Sequence, residues 1–128
     1  MRHPHEELLR READAGIRGG FIVAEFYTED HVLHYPGTSP VAGDYHGHAG
    51  LTEFGQGIAA IATLHPELHD AVANDEHGIQ LVKVRAERQD GMRHEWRVMW
   101  VFHFREGLIA ESWAQVDDQA ALDTFLSG

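Results

Sequence analysis

Between Asp30 and Gly50 the chain reads DHVLHYPGTSPVAGDYHGHAG, a strand, a Pro/Gly-rich turn and a helix entrance whose polar side chains are mostly histidine and tyrosine. Imidazole changes protonation near neutral pH, and a tyrosine hydroxyl can donate to a developing oxyanion. His34 and Tyr35 are therefore the candidate catalytic pair, suited to moving a proton next to a carbonyl. Adjacent strand residues point to opposite faces, so if Tyr35 enters a pocket, His34 turns away unless the turn at Pro36 twists it inward. Phe54, His69, Trp96, Trp100 and Ser112 are the candidate ligand-binding residues, with Asp70 and His94 as further polar groups nearby. Each has a competing structural reading, because alternating aromatics on a strand are ordinarily core and a single buried histidine is ordinarily a hydrogen-bonded structural residue. His46-x-His48 with Asp44, or His31 with His34, has metal-ligand residue types. Two histidines in a glycine loop without a strong third ligand are more often surface or capping groups, so neither a metal nor a cofactor is expected.

The chain that must position these groups has 128 residues, no cysteine and a formal charge of -11 from 21 acidic and 10 basic side chains. That length fits one domain over 1–128 able to bury roughly two-thirds of its unfolded surface, and without thiols the fold rests on packing alone. The acidic balance repels phosphate backbones and gives no basic stripe, which argues against nucleic acid and anionic membrane as partners. Protonating all 11 histidines would bring the formal charge to zero, so charge repulsion fades as pH falls toward 5. No apolar run reaches the ~18 to 20 residues of a membrane span, and the start MRHPHEELLRREAD lacks a signal core, so a cytoplasmic protein is expected.

The order of elements follows from punctuation and period. Pro4 suits a first helical turn, Glu6 and Glu7 suit its positive end, and Leu9, Ala13 and Ile17 follow at four-residue spacing until Gly19 and Gly20. Glu6, Glu7, Arg10 and Arg11 read as its solvated face. A short second helix is expected to carry Phe21, Ala24 and Tyr27. A strand is expected at His31 to Tyr35, ended by Pro36 and Gly37. Leu51, Phe54, Ile58, Ile61 and Leu64 then define an amphipathic helix from His48 to Leu64, closed by Pro66.

Strands are expected at Glu67 to Ala73, Ile79 to Arg88, Met92 to Arg105 and Leu108 to Val116, with Gln89-Asp90-Gly91 as a hairpin signal. Alternation in the third places Trp96, Val98, Trp100, Phe102 and Phe104 on one buried face, with Met99 and Val101 on the other. Ser112, Ala114 and Val116 share the inward parity, and Trp113 packs on the opposite face. Asp117 is placed to cap a final helix running to Leu126. Helices followed by a long meander argue an α+β domain whose curved antiparallel sheet wraps around the N-terminal helices and leaves a central pocket at its open end.

FYTEDHVLHYPG at 26–37, VAGDYHGHAGLTEF at 41–54 and VFHFREGLIAESW at 101–113 resemble the NTF2-like superfamily, in its branch of SnoaL-like polyketide cyclases and ketosteroid isomerase relatives. The resemblance covers nearly the whole chain and implies a cone-shaped fold, a hydrophobic small molecule in the cone and a homodimer through the outer sheet face. Met99, Val101 and Trp113 agree with the last expectation. Laid against the family without gaps, the isomerase's general-base aspartate falls on Tyr35, its second functional acid on Trp100 and its helix-one tyrosine on Arg11. The resemblance thus implies cofactor-independent acid/base chemistry, isomerase-like or cyclase-like, on a carbonyl compound while removing the family's carboxylates. The alternative is a non-catalytic ligand-binding or assembly module on the same fold.

Overall fold

The computed structural model describes residues 2–19 and 22–128, and among 17–19 the backbone only. In chain order the elements are helix α1 (Pro4–Gly19), a 3-10 turn (Ala24–Phe26), strands β1 (Tyr27–Tyr35) and β2 (Gly43–His46), helix α2 (Gly47–Ile61), strands β3 (Ala62–Ala73), β4 (His77–Arg88), β5 (Arg93–Arg105) and β6 (Leu108–Val116), and helix α3 (Gln119–Ser127). This is the expected α+β architecture: three helices and a six-stranded curved sheet that does not close on itself. The strand order is β2-β1-β6-β5-β4-β3. All neighbours run antiparallel except β1 and β6, which pair in parallel. The first and last strands of the chain thereby meet in the sheet, and β2 and β3 form its two edges.

Several boundaries differ from expectation, and β2 is a strand where none was expected. The second helix shrinks to the 3-10 turn, because Tyr27 is already the first residue of β1, which runs four residues earlier than expected; Phe21 lies outside the described residues. Helix α2 ends at Ile61, where Ala62 turns to extended backbone (φ -153°), so Leu64 and Pro66 belong to β3. Proline survives there because β3 is an edge strand, where only one side of the backbone must supply ladder hydrogen bonds. Asp118 rather than Asp117 caps α3, its side chain accepting from the Ala121 amide. Asp117 instead accepts from the Arg97 and Asp118 amides.

The β4–β5 hairpin forms where expected: Gly91 takes a positive φ of 88°, the conformation glycine adopts without strain, and Asp90 accepts from the Met92 amide. Along β5, Trp96, Val98, Phe102 and Phe104 are buried while Arg93, Glu95, Arg97, His103 and Arg105 are exposed, as the two-residue period requires. Leu9, Leu33, Leu51, Ile109 and Leu122 are fully or almost fully buried, so α1, β1, α2, β6 and α3 all contribute to one core.

Helix α1 approaches the sheet most closely at Gly78. A Cβ there would lie 2.6 Å from Leu9 Cδ1 and 2.7 Å from a Phe104 ring carbon, so the missing side chain is what lets α1 lie against β4. Gly78→Ala is expected to destabilise the fold by about 1–3 kcal/mol through overpacking. Urea denaturation measures this, and an unchanged midpoint would show that α1 does not depend on that approach.

Candidate active site

Helix α1 presents Leu9, Glu12, Ala13 and Gly16 toward the sheet at spacings of three and four, so a carboxylate stands inside an apolar stripe. Glu12 is only 6% exposed. One carboxyl oxygen accepts from Gln80 Nε2 at 2.8 Å and the other from the Tyr27 hydroxyl at 2.9 Å. Gln80 and Tyr27 are themselves buried, on β4 and β1, and Gln80 also donates to the Leu9 carbonyl at 2.8 Å. Burial raises the Glu12 pKa above the usual carboxylate range, and the two hydrogen bonds only partly offset it. Burial, then the neighbouring Glu12, raises the Tyr27 pKa well above that of a free phenol.

Glu12 stands at the wall of a cavity of about 150 Å³ between α1, α2 and the inner sheet face. Tyr35, Phe54, Trp96 and Trp100 supply the aromatic part of its wall, and Ile58, Leu64, Leu68, Val82, Val84 and Val98 the aliphatic part. Glu12 and Tyr35 are the ionisable side chains among those lining it. The Tyr35 ring lies 4.8 Å from that of Phe54 and 6.2 Å from that of Trp100. Burial raises the Tyr35 pKa far above its ordinary value, with Asp123 and Tyr45 adding to the effect. Tyr35 is therefore a protonated hydrogen-bond donor at any physiological pH.

The structure brings Tyr35, Phe54, Trp96 and Trp100 together at the cavity and leaves the other sequence candidates elsewhere. His34 lies on the opposite face of β1 from Tyr35, as strand parity demands, and the two do not form a pair. Its ring nitrogens lie 2.7 Å from Asp44 Oδ1 and 2.6 Å from Glu111 Oε2, and the ring stacks on Trp113 at 5.4 Å. Partial burial disfavours the His34 cation, but the bonds to Glu111 and Asp44 outweigh it and raise the pKa. Trp113 thus packs on the outer face, as expected.

His69 sits in a β-bulge on β3, exposed on the outer face, where it borders a groove with Glu67, Leu81, Lys83, Arg97 and Met99. Ser112 is buried on the inner face but bonds the fully buried His31 at 3.0 Å and does not line the cavity. His31 is held neutral, its pKa lowered to about 4 chiefly by burial. Asp70 pairs with Arg10 at 2.8 Å, and His94 stacks on Trp96 and Phe125. Arg11, on which the isomerase tyrosine falls, is exposed, and its neighbour Glu12 takes the inward position. Among the described residues no group of three His, Asp or Glu side chains is arranged to hold a metal ion.

Sequence reading missed Glu12, Gln80 and Tyr27. The signal for the first was available: a carboxylate three residues after Leu9 falls within the stripe, not on the solvated face.

Comparison with known proteins identifies this arrangement of helices and curved sheet. The model of the SnoaL-like domain matches residues 22–112. The chain belongs to the SnoaL-like family, within the NTF2-like superfamily. Bal32a, from a soil-derived mobile gene cassette, is 26% identical and superposes with a TM-score of 0.84 over 96% of each chain. An NTF2-like protein of unknown function from Burkholderia pseudomallei K96243 is 15% identical, with a TM-score of 0.84 over 98% of this chain and 99% of the other. TerC, co-crystallised with polyporic acid, is 15% identical, with a TM-score of 0.83 over 98% of this chain and all of the other. No curated protein matches the sequence.

The raised Glu12 pKa ties stability to pH. A carboxyl that holds its proton more tightly when folded favours the fold below its unfolded pKa, and that contribution is lost as pH rises through the folded pKa. Glu12→Gln keeps an acceptor for Gln80 and an amide that can donate to the Tyr27 oxygen. The variant is expected to melt higher than the parent at pH 7 and to lose that advantage toward pH 4. Thermal melts across this range check it, and a pH-independent difference would contradict a raised pKa.

Proposed function

We propose that this SnoaL-like chain binds an apolar, carbonyl-bearing small molecule in the cavity and moves a proton on it by cofactor-independent acid/base chemistry. The observation that carries the reading is Glu12, a carboxyl at an apolar cavity wall with raised pKa and no cation among its bonding partners. Perturbed acids of this kind mark functional sites more often than structural ones. That TerC, of the same fold, was co-crystallised with a small organic molecule supports a small-molecule role for the cavity.

In this reading the Glu12 carboxylate takes a proton from the carbon beside the carbonyl. The C–H electron pair becomes the C=C bond of the enolate, and the negative charge arrives on the carbonyl oxygen, where the Tyr35 O–H donates to it. Each Glu12 oxygen uses one lone pair on Gln80 or Tyr27 and keeps another for the incoming proton. Replacement of that proton on Glu12 by one from solvent before it is delivered to the same carbon gives exchange, and delivery of the proton to a conjugated carbon gives isomerisation. Gln80 and Tyr27 position the carboxyl, while Phe54, Trp96 and Trp100 hold the substrate and exclude water. His34, Ser112 and His69 have no part in the step.

Acetophenone in heavy water is a direct probe, because exchange of its methyl hydrogens requires only enolisation. The protein is expected to accelerate that exchange by NMR, Glu12→Gln to lose about 10²–10⁴-fold, and Tyr35→Phe to lose about 10²-fold. Binding of acetophenone without accelerated exchange would favour a non-catalytic binding module.

A homodimer through the outer sheet face belongs to the same proposal. Leu81 is 39% exposed, and Met99 lies beside it in the outer groove with Lys83, Arg97 and Glu67, an apolar centre with charges of both signs around it. Light scattering at micromolar concentration is expected to give twice the chain mass, and Met99→Glu to give a monomer. A monomeric parent protein would refute the dimer.

A further inference from the structure

The cavity's size and polar pattern restrict what it can take, and the restriction rests on the reading that the cavity is a binding site. Pockets that hold drug-sized molecules span roughly 300–1,000 Å³, and an engineered apolar cavity of about 150 Å³ accepts benzene. This one measures about 150 Å³. Part of its boundary is not easily widened, because it is made of side chains from α1, α2 and four strands, several of which also form the core: Phe54 and Ile58 from α2, Trp96 and Val98 from β5, and Val84 from β4 are each at most 5% exposed. Close-packed cores accommodate extra volume poorly.

The polar groups on the wall are equally selective. Gln80 spends both protons of its amide nitrogen on Leu9 and Glu12, so it has no donor left for a guest. Glu12 offers lone pairs. Tyr35 offers one hydroxyl, for which no partner is found among the described residues. Among the described residues no Lys, Arg or His lines the cavity, so none of them would neutralise an anionic guest, and an ionised Glu12 would repel it.

From these observations we infer that the site takes uncharged single-ring molecules of benzene size carrying a hydroxyl or a carbonyl, and excludes both multi-ring compounds and organic acids. A hydroxyl on the ring donates to Glu12, and a carbonyl accepts from Tyr35. The aromatic wall of Tyr35, Phe54 and Trp100 covers a ring, and Trp100 sets the limit on length. Trp100 is half-buried, whereas Trp96 is buried.

The test is a calorimetric and thermal-shift panel on the full chain at pH 7: phenol, acetophenone, 2-naphthol, benzoate and progesterone. Phenol and acetophenone are expected to bind saturably and raise the melting temperature. 2-naphthol, benzoate and progesterone are expected to do neither. Trp100→Ala should gain binding of 2-naphthol, and Glu12→Gln should gain binding of benzoate, which separates exclusion by size from exclusion by charge. Should Trp100→Ala not fold, the parent panel and Glu12→Gln still decide. Binding of progesterone or benzoate by the parent as tightly as phenol would overturn the inference while leaving a ligand-binding cavity. Silence from all five probes would overturn both. Acetophenone that binds without hydrogen exchange would sink the catalytic reading alone and leave the size limit standing.

Discussion

The burial of one carboxyl group constrains the rest of this structure. Removing an ionised carboxylate from water without a counter-ion costs several kcal/mol, and Glu12 has only two neutral donors to offset it. Those donors come from different strands, Tyr27 at the start of β1 and Gln80 near the start of β4. The acid can be accommodated only where α1 lies close to both, and that approach is possible because residue 78 has no side chain to meet Leu9 and Phe104. Gln80 completes the tie by donating to the Leu9 backbone as well. A leucine at position 12 would remove that charge but leave the buried Gln80 amide and Tyr27 hydroxyl without their acceptor, so the acid and its two donors form one unit.

The cavity exists because the elements around it have mismatched lengths and periods. α1 offers small residues, Ala13 next to Glu12 and Gly16 one turn beyond it, and the sheet they face is curved. β5 answers with large aromatics at two-residue spacing, Trp96 and Trp100 flanking Val98, which fill most but not all of the interior. What is left is a space of ring size with one acid and one phenol on its wall. The division of labour between them follows from their surroundings. Both groups are pushed toward their neutral forms by burial, but a carboxyl starts from an acidic value and a phenol from a basic one. Of the two, Glu12 gives up its proton more readily, so in the proposed chemistry it carries the proton and Tyr35 the hydrogen bond.

Most of the fold was legible in the sequence because its signals are local and repeated. β5 alternates over six inward positions, Pro4, Gly19 and Gly91 punctuate as expected, and Leu51, Phe54 and Ile58 keep the helical period of α2. The errors fall where a tertiary partner overrides a local cue. Leu64 continues the helical spacing and Pro66 reads as a stop, yet pairing of Ala62, Leu64 and Pro66 with Arg88, Ala86 and Val84 makes that segment a strand. The parallel pairing of β1 with β6 leaves no mark in the sequence of either, since it depends on all that the chain does between them. For the site, strand parity correctly set Tyr35 and His34 on opposite faces, and the aromatic wall followed from β5. Glu12 escaped because a Glu among Glu6, Glu7, Arg10 and Arg11 looks solvated unless its phase against Leu9 is weighed, and Gln80 because a single amide in a strand carries no period.

The histidines of β1 show why the acid had to come from a helix. His31 faces inward, fully buried, and burial keeps it uncharged; three residues on, His34 faces outward between two carboxylates that favour its charge. Neither can serve the cavity. His34 is on the wrong face, and His31 lies behind the wall with its Nε2 on Ser112. With Tyr35 too weakly acidic to cycle, β1 supplies a donor and no base, and β5 supplies Trp100 where the resemblance lays a second acid. Within the cavity lining the remaining contributor is α1, whose inward face turns past the sheet once every three or four residues. Arg11 misses that face by one position and Glu12 meets it. In the proposed chemistry a carboxylate on the helix would take up the role that the resemblance lays on a carboxylate of the strand.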